Sequence, residues 1–447
     1  MKIAFVSLGC DKNLADTELM LEILRGKGYE FTDDAQEADA AVVNTCCFIG
    51  DAKEESINTV LELAELRREG RLKALVAAGC LAQRYGKEIR EEIPEVDGLV
   101  GTAAIEDILE AVETALSGEK RDFFRDLDSP PAVRRERVLT TGGHFAYLKI
   151  AEGCNKCCTY CVIPAVRGNY RSIPMEELTA QAEKLAEEGV RELILVAQET
   201  TLYGVDLYGE KSLPLLLRRL ARISGLYWIR ILYCYPEEIT EELISVMAEE
   251  PKICHYLDIP IQHSSDTVLK RMGRRTDQAQ LRRMIGLLRE RIPDICLRTT
   301  LISGFPGETQ EDFEDLYRFV NEMEFDRLGV FPYSQEEDTA AALMPDQIPD
   351  EVKEFRRDEL MELQQAIAFE KAQEMAGQVL TVMIEGKVAD DDVYVGRTYR
   401  DAPGVDGYLF VNTSADLMTG DFVRAIVTDS NEYDLIGEIY YEEDELT

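Results

Sequence analysis

The segment GCNKCCTYCVIP, residues 153–164, places four cysteines within eight positions. It contains two overlapping spacings, C-x3-C-x2-C and C-x2-C-x3-C, which share Cys154 and Cys161 and differ in using Cys158 or Cys157. Because adjacent side chains diverge along most backbones, these two neighbours are not expected to bind the same metal cluster, and spacing alone does not choose between them. Three thiolates with no histidine at finger-like spacing predict a [4Fe–4S] cluster with one open iron.

The composition indicates a multidomain protein of a reducing compartment. A chain of 447 residues is too long for one ordinary core, so two or three domains are expected. The chain has no run of eighteen apolar residues, and its N-terminus is interpreted as a first strand rather than a signal peptide, which predicts a cytoplasmic protein without a membrane segment. The eleven cysteines are then better explained as metal ligands, catalytic groups or buried thiols than as disulfides.

Hydrophobic patterning divides the chain into three folded regions and a linker. Residues 1–117 alternate strand and helix patterns, which predicts a parallel α/β sheet domain. Residues 118–143 contain a proline pair, many charges and no sustained periodicity, and are interpreted as a linker. Residues 144–372 carry six candidate strands with amphipathic helices between them, predicting a partial (β/α)6 barrel. Residues 373–447 contain five short strand candidates and predict a small β-barrel.

Three further cysteines, Cys10, Cys46 and Cys80, each follow a predicted strand of the first domain. Because the carboxyl ends of parallel strands meet at one edge of a sheet, we expect these thiols to lie close together. Any one of them alone is more simply explained as a buried structural cysteine, since free cysteines are among the most buried residues. The strand-end position of all three favours an iron–sulfur cluster with one open iron, or a zinc site with an open position.

These motifs resemble those of the radical S-adenosylmethionine methylthiotransferases, which add a CH3S– group to an unactivated C–H bond. The resemblance covers nearly the whole chain, through the cysteine loop with Tyr160 before its last thiol, the SLGC, NTC and GC segments, and the small C-terminal β-domain. It implies two [4Fe–4S] clusters and S-adenosylmethionine as cofactors. The cluster ligands that it implies are Cys10, Cys46, Cys80, Cys154, Cys158 and Cys161. Cys157 and Cys47 are then bystanders.

Within this family, the segments SLGCDKNLADTE and RTYRDAPGVDG are similar to the RimO type. One departure is Asp11, which stands where the family usually has proline. The resemblance implies methylthio transfer to the β-carbon of an aspartate in ribosomal protein uS12 of the small subunit. It also implies that the barrel cluster cleaves S-adenosylmethionine to a 5′-deoxyadenosyl radical, that the N-terminal cluster holds the sulfur or methylthio group, and that a reductant such as flavodoxin or ferredoxin supplies electrons.

The same resemblance predicts contacts to S-adenosylmethionine at the carboxyl ends of the barrel strands. Gln198 falls on the second-strand motif and is predicted to hydrogen-bond the methionine end of the cofactor. Ile302 and Gly304 follow the fifth strand, where a backbone without a side chain can approach the adenine. Gln262 and Tyr160 complete the predicted set, although a buried glutamine often only satisfies backbone groups.

The C-terminal region is strongly acidic. Residues 373–447 carry 17 acidic and 4 basic residues, a net charge of −13 out of −37 for the whole chain. The acids include Asp390, Asp391, Asp392 and the terminal run 442–445. An acidic face repels phosphates and attracts a Lys/Arg-rich protein, so this region is predicted to bind uS12 and not tRNA. The simpler explanation is that the acids only keep the protein in solution.

Two alternative functions stay open. The first is the sister activity of the MiaB type, which modifies adenosine in tRNA. The second is a zinc-binding interaction protein, in which the cysteines form structural metal sites and the C-terminal β-domain is an interaction module.

Overall fold

The computed structural model describes residues 1–441, so the terminal acidic run 442–445 lies outside the described residues. The described chain contains two six-stranded sheets, a closed five-stranded barrel and a two-stranded ribbon. This arrangement confirms the predicted fold class, with a parallel α/β sheet domain, a partial barrel and a small C-terminal β-barrel. None of the helices in residues 1–441 is both long and apolar enough to cross a membrane.

The first sheet is parallel, with its strands in the order β2-β1-β3-β4-β5-β6. Its strands are β1 (Lys2–Ser7), β2 (Glu30–Thr32), β3 (Ala40–Thr45), β4 (Ala74–Gly79), β5 (Gly98–Val100) and β6 (Arg121–Phe123). Its helices are α1 (Asp11–Gly26), α2 (Gly50–Arg68), α3 (Cys80–Glu92) and α4 (Ile108–Leu116). Strands β3 and β4 are buried along their whole length because helices cover both faces, which explains their unbroken apolar character.

Two of these strands, β2 and β6, are absent from the sequence prediction. Each has only three residues and lies at an edge of the sheet, so neither offers enough alternating positions to form a recognisable pattern. Strand β6 also lies inside the segment 118–143 that the sequence analysis interprets as a linker. Phe123 anchors it, because this side chain is buried in the core between the sheet and helices α1 and α4.

The central domain is an open sheet of six parallel strands whose spatial order follows the chain. Its strands are β7 (Phe145–Lys149), β10 (Glu192–Val196), β11 (Trp228–Ile231), β12 (Ile253–Asp258), β13 (Cys296–Ser303) and β14 (Arg327–Pro332), and β8 (Ala151–Glu152) pairs with β9 (Arg171–Ser172) as a ribbon. The six strands of the sheet coincide with the six predicted ones. Leu193 and Leu195 pack outward against helices, whereas Ile194 and Val196 face the inner side of the curved sheet.

Nine helices are described in the central domain, and they connect and cover these strands. They are α5 (Ile163–Arg167), α6 (Met175–Glu187), α7 (Val205–Tyr208), α8 (Leu213–Ala221), α9 (Glu241–Glu249), α10 (Asp266–Arg271), α11 (Gln278–Arg291), α12 (Gln310–Met323) and α13 (Asp350–Glu374). Helix α12 begins with a capping box, in which Thr309 and Asp312 satisfy each other's backbone N–H groups. Helix α13 runs from the central domain toward the C-terminal barrel.

The C-terminal barrel is closed by five strands in the order β15-β16-β17-β19-β18. They are β15 (Val379–Lys387), β16 (Val393–Arg397), β17 (Leu409–Asn412), β18 (Phe422–Asn431) and β19 (Asp434–Ile439). The barrel packs against the amino-terminal end of the central sheet. There the Phe422 ring stacks on Tyr227 at 4.8 Å and meets the edge of Trp228 at 4.9 Å between ring centres.

A buried ion-pair group joins the barrel to the central sheet. Glu192 is fully buried at the start of β10 and accepts hydrogen bonds from Arg230 at 2.7 Å and from Arg397 of the barrel at 2.8 Å. Arg230 also donates to the carbonyl oxygen of Tyr399, 2.6 Å away in the barrel. Although burial alone would raise the pKa of Glu192, the two guanidinium groups outweigh it and lower that pKa.

We expect Glu192→Gln to destabilise the fold strongly. Neutralising this carboxylate leaves two buried guanidinium groups without their shared anion, and breaking a buried pair costs about 3–5 kcal/mol. The free energy of unfolding, measured by urea denaturation, and the rate of proteolysis between the central sheet and the barrel provide the check. Glu188→Gln is the matched control, because Glu188 is exposed on the outside of the central domain and its loss should change stability by less than about 0.5 kcal/mol.

Candidate active site

Strands β1, β3 and β4 are neighbours in the first sheet, and their carboxyl ends bring Cys10, Cys46 and Cys80 together. Cys10 precedes α1 and Cys80 is the first residue of α3. The loop that carries Cys10 lies directly on Cys46, because a Cβ atom at Gly9 would be 2.7 Å from the Cβ atom of Cys46. The φ of +87° at Gly9 also favours glycine, so this position requires it for two reasons.

Asn13 ties the three cysteine segments to one another. Its side-chain N–H groups donate to the carbonyl oxygens of Leu8 and Thr45, both at 3.0 Å, and these residues lie just before Cys10 and Cys46. The thiol of Cys80 lies 3.8 Å from the side-chain oxygen of Asn13. Sequence reasoning missed Asn13, and the available signal was a polar residue inside the motif that carries the first cysteine.

The three thiols influence one another electrostatically. Burial raises the pKa of Cys80 to about 11, the nearby Arg167 opposes that shift, and the proximity of Cys10 and Cys46 adds to it. Cys47 is fully buried in the core on one face of the sheet. Burial raises its pKa to about 12, and the nearby Cys80 adds to this shift. The structure therefore brings together the three predicted thiols, with Cys47 packed in the core close to Cys80.

The cysteine loop of the central domain follows β8 and is held close to the segment after α5. A Cβ atom at Gly153 would be 2.1 Å from the carbonyl oxygen of Asn169, and φ there is +78°. Burial raises the pKa of Cys154 to about 11 and that of Cys161 to about 12, and Cys158 lies close enough to raise both further. These three thiols form a second group.

Cys157 is not part of this group. It is exposed, its φ of +55° is in the left-handed region, and its sulfur lies 3.5 Å from the carbonyl oxygen of Asn155. Cys158, in contrast, is buried and its sulfur lies 3.3 Å from the hydroxyl of Tyr235. The backbone thus separates the two adjacent side chains as expected, and the geometry favours Cys158 as the third member.

Gln198 lies at the carboxyl end of β10, next to the second thiol group. Its side-chain nitrogen donates to Glu152 at 2.9 Å, while its side-chain oxygen is buried and has no hydrogen-bond partner among the described residues. Glu199 lies beside it near Cys154. One of its carboxyl oxygens has no hydrogen-bond partner among the described residues and lies 3.9 Å from the Lys156 ammonium, and burial raises the pKa of Glu199 to about 7. The free hydrogen-bonding capacity of the Gln198 oxygen is available to a ligand.

Tyr160 and Ile302 border one apolar cluster centred on Phe305. The Tyr160 ring meets Phe305 edge-on at 6.3 Å between ring centres. Gly304 lies nearby with φ of +68°, but a Cβ atom there would be 2.3 Å from the Lys353 side chain on α13. The structure therefore gives a different reason for glycine at this position, namely close packing of α13 and not an open backbone.

Gln262 has a φ of +71°, and its backbone extends the pairing of β12 with β13 by accepting from Ile302 at 2.8 Å. Its neighbour His263 is fully buried and accepts from the backbone N–H of Ser265 at 2.9 Å. Burial lowers the pKa of His263 to about 3, so this imidazole is neutral. Both residues lie at the carboxyl edge of the central sheet, which is where the sequence analysis predicts Gln262.

A cavity of about 480 Å³ lies where the three domains meet. Its wall includes Cys10 and Asp11 of the first domain, Tyr233 and Arg298 of the central domain, and Val405 of the C-terminal barrel. The Tyr233 hydroxyl donates to Asp11 at 2.8 Å. Asp11, which stands where the family usually has proline, therefore adds a polar group to the wall of this cavity.

The segment after β11 lies between the two thiol groups. Tyr233 contacts Asp11 beside Cys10, and Tyr235, two residues later, contacts Cys158. One short segment of chain, with a left-handed φ of +61° at Tyr233, thus contacts the surroundings of both groups. Cys10 lines the cavity beside Tyr233, whereas Cys158 lies at the other end of this segment.

Comparison with known proteins assigns each of the three domains. Residues 2–101 match the model of a family described as uncharacterized protein family UPF0004, residues 148–320 match the radical SAM superfamily, and residues 376–439 match the TRAM domain. The ribosomal protein uS12 methylthiotransferase RimO of Lachnoclostridium phytofermentans is 61% identical over 98% of this chain and 99% of its own. The RimO protein of Clostridioides difficile is 48% identical over 99% of each chain.

The chain belongs to the RimO family of ribosomal protein uS12 methylthiotransferases. This membership confirms the predicted family and enzyme class. Among solved structures, the radical S-adenosylmethionine methyltransferase TsrM of Kitasatospora setae covers 74% of this chain and 72% of its own, with a TM-score of 0.53 and 15% identity. The cobalamin-dependent radical enzyme OxsB covers 82% of this chain and 56% of its own, with a TM-score of 0.51 and 14% identity. These two share the fold.

Each of the two groups offers three thiols. In a [4Fe–4S] cluster each thiolate binds a different iron, so three thiols suit a cluster whose fourth iron is left open to another ligand.

We expect Cys157→Ala to retain the iron of both sites, and Cys158→Ala to lose the iron of the central one. The physical reason is that the exposed Cys157 sulfur points away from its neighbours, whereas that of Cys158 faces them. Iron content after anaerobic reconstitution and formation of 5′-deoxyadenosine are the measurements. Loss of the central cluster in Cys157→Ala alone would show that the other spacing is the correct one.

Proposed function

We propose that this protein transfers a methylthio group to the β-carbon of an aspartate in ribosomal protein uS12, with two [4Fe–4S] clusters and S-adenosylmethionine as cofactors. The proposed ligands are Cys10, Cys46 and Cys80 for the first cluster and Cys154, Cys158 and Cys161 for the second. The observation that carries the proposal is the pair of thiol groups at the carboxyl edges of two sheets, with one short segment that ends in Tyr235 contacting the surroundings of both. The central cluster and S-adenosylmethionine would supply a 5′-deoxyadenosyl radical.

The residues around the central cysteine group would orient the cofactor. The unpartnered oxygen of Gln198 is an acceptor for the amino group of the methionine end, and the adjacent Glu199, whose pKa burial raises to about 7, adds a carboxyl group there. Tyr160 and Ile302 present an apolar surface suited to the adenosine end. Gln262 keeps its predicted place at the same edge through its backbone bond to Ile302.

The cavity between the three domains would receive the target side chain. Cys10 lies in its wall, so the first cluster would be next to the substrate. Arg298 lies in the same wall, where it pairs with Asp258 at 3.1 Å and with Asp406 at 3.6 Å, and 22% of its side chain is exposed. The exposed part of this guanidinium group would contact the carboxylate that an aspartate presents.

We expect Cys46→Ala to stop methylthio transfer while 5′-deoxyadenosine is still formed. The radical is made at the central cysteine group, whereas the sulfur would be held at the N-terminal one, so only the second half of the reaction is lost. Mass spectrometry of uS12 and chromatography of the nucleoside products measure the two halves separately. Cys47→Ala is the matched control, since this neighbouring thiol lies in the core and should keep both activities. Loss of both activities in a folded Cys46→Ala protein contradicts the division of roles.

The outer face of the C-terminal barrel supports a basic protein as partner. Two of its four basic residues point inward, where Arg397 pairs with Glu192 at 2.8 Å and Arg400 pairs with Asp326 at 2.8 Å. Exposed acids remain on the outside, at Asp390, Asp391, Asp392, Asp416, Asp429, Glu432 and Glu438. A face of this charge speeds encounter with a Lys/Arg-rich protein such as uS12 and opposes the approach of RNA phosphates.

We expect the full-length protein to bind uS12 with an affinity that falls as salt rises, and to bind tRNA negligibly. Replacing Asp390, Asp391 and Asp392 by Asn should weaken binding to uS12 on the order of tenfold, because exposed charges contribute about 0.2–1 kcal/mol each. Titration calorimetry at several salt concentrations measures this. Replacing Glu183, Glu187 and Glu188 by Gln removes the same charge from the outside of the central domain and should leave the affinity unchanged.

An equal effect of the two triple replacements would mean that the acids act only through the total charge of the protein. Salt-sensitive binding of tRNA without binding of uS12 would favour the tRNA-modifying alternative.

The proposed reaction also consumes single electrons, so it includes a one-electron donor such as flavodoxin or ferredoxin. A ribosomal substrate places the reaction in the cytoplasm.

A further inference from the structure

Arg167, the last residue of α5, is buried at the boundary between the first two domains, with 2% of its surface exposed. It donates to Asp16 at 2.8 Å and to the side-chain oxygen of Asn13, both in the first domain. It also donates to Glu152 of the central domain at 3.1 Å. Its fourth acceptor is the sulfur of Cys80, at 3.5 Å.

Glu152 connects this guanidinium group to the proposed cofactor site. One of its carboxylate oxygens accepts from Gln198 at 2.9 Å, and the other accepts from Arg167 and from Lys149, the latter at 2.8 Å. Glu152 therefore joins Gln198 to Arg167 through its two carboxylate oxygens, and Arg167 joins it to Cys80.

Only an arginine can make this set of contacts. A guanidinium group is a rigid fork of five N–H donors, whereas a lysine ammonium is a point charge with three rotatable donors. Lysine at this position would keep the positive charge but could not reach four acceptors that lie on different sides of the fork. The charge and the geometry of the contacts can therefore be separated by substitution.

We propose that Arg167 is a positioning residue that holds the Cys80 sulfur at a fixed position relative to the Gln198–Glu152 pair. It thereby couples the N-terminal cysteine site to the cofactor site of the central domain. This inference rests on the proposed function, because it takes Cys80 as a cluster ligand and Gln198 as a contact of S-adenosylmethionine.

The contact with Cys80 has a measurable electronic consequence. Hydrogen bonds to cluster sulfurs and nearby positive charge are among the factors that set the reduction potential of an iron–sulfur cluster. Both stabilise the more negative, reduced form. Removing Arg167 should therefore lower the reduction potential of the N-terminal cluster, which a purely structural role of the residue would not do.

The potential is measured in the full-length protein with Cys154, Cys158 and Cys161 replaced by Ala, so that only the N-terminal cluster is present. We expect Arg167→Met to lower the midpoint potential in a redox titration followed by electron paramagnetic resonance. Arg167→Lys should lower it less, because the charge is kept. Arg230→Met is the control, since this arginine is equally buried but bonds to Glu192 and the barrel backbone, and the potential should be unchanged.

The coupling is measured with all cysteines in place. We expect both Arg167 variants to form more 5′-deoxyadenosine per methylthio group transferred to uS12 than the unaltered protein forms, because the two sites are no longer held in register. Absence of iron in the triple-cysteine variant that retains Arg167 would refute the assignment of the N-terminal ligands, and with it the basis of this inference. A normal cluster whose potential and product ratio are unchanged in Arg167→Lys overturns the inference, even if Arg167→Met fails to fold.

Discussion

Four buried charges at the boundary between the first two domains hold the arrangement on which the rest of the site depends. Arg167 and Lys149 balance Asp16 and Glu152, and the four side chains are in contact through hydrogen bonds. A buried charge is costly unless it is paired and fully bonded, so any rotation of one domain against the other would leave an ion without its partner. Such a group adds little to stability compared with apolar packing, but it disfavours every relative orientation that separates the paired charges.

This orientation matters because the charged residues are close in sequence to the cysteines. Asp16 lies six residues after Cys10 on α1, and Arg167 lies six residues after Cys161, at the end of α5. The ion pair between Asp16 and Arg167 therefore joins the two chain segments that carry the two cysteine sites. The distance between those sites is fixed by short lengths of chain on each side of one ion pair, and not by the connecting segment 118–143.

The strands, the helices and the two groups of cysteines could be predicted from the sequence, but the contacts between domains could not. All six strands of the central sheet could be predicted, because each is an apolar run bounded by helices, and the three N-terminal thiols could be grouped because each follows such a run. The short edge strands Glu30–Thr32 and Arg121–Phe123 lack that pattern. Arg167 is an ordinary arginine in the local sequence, and its role depends on residues more than 150 positions away in the chain. The reason for glycine at position 304 could not be predicted either, since the side chain that leaves no room for a Cβ atom there belongs to Lys353 of α13.

At the amino-terminal end of the central sheet, the contacts that attach the C-terminal barrel also affect which partners the barrel can bind. Arg397 and Arg400 of the barrel form ion pairs with Glu192 and Asp326 of the central domain. Because the barrel has few basic residues, little positive charge then remains on its outer face. Moving those two arginines to the surface would both weaken the docking of the barrel and reduce its attraction for basic proteins. A nucleic-acid-binding face needs the reverse, with basic side chains free to displace counterions from phosphates. The ion pairs that attach this barrel therefore also limit the chemistry of its partners.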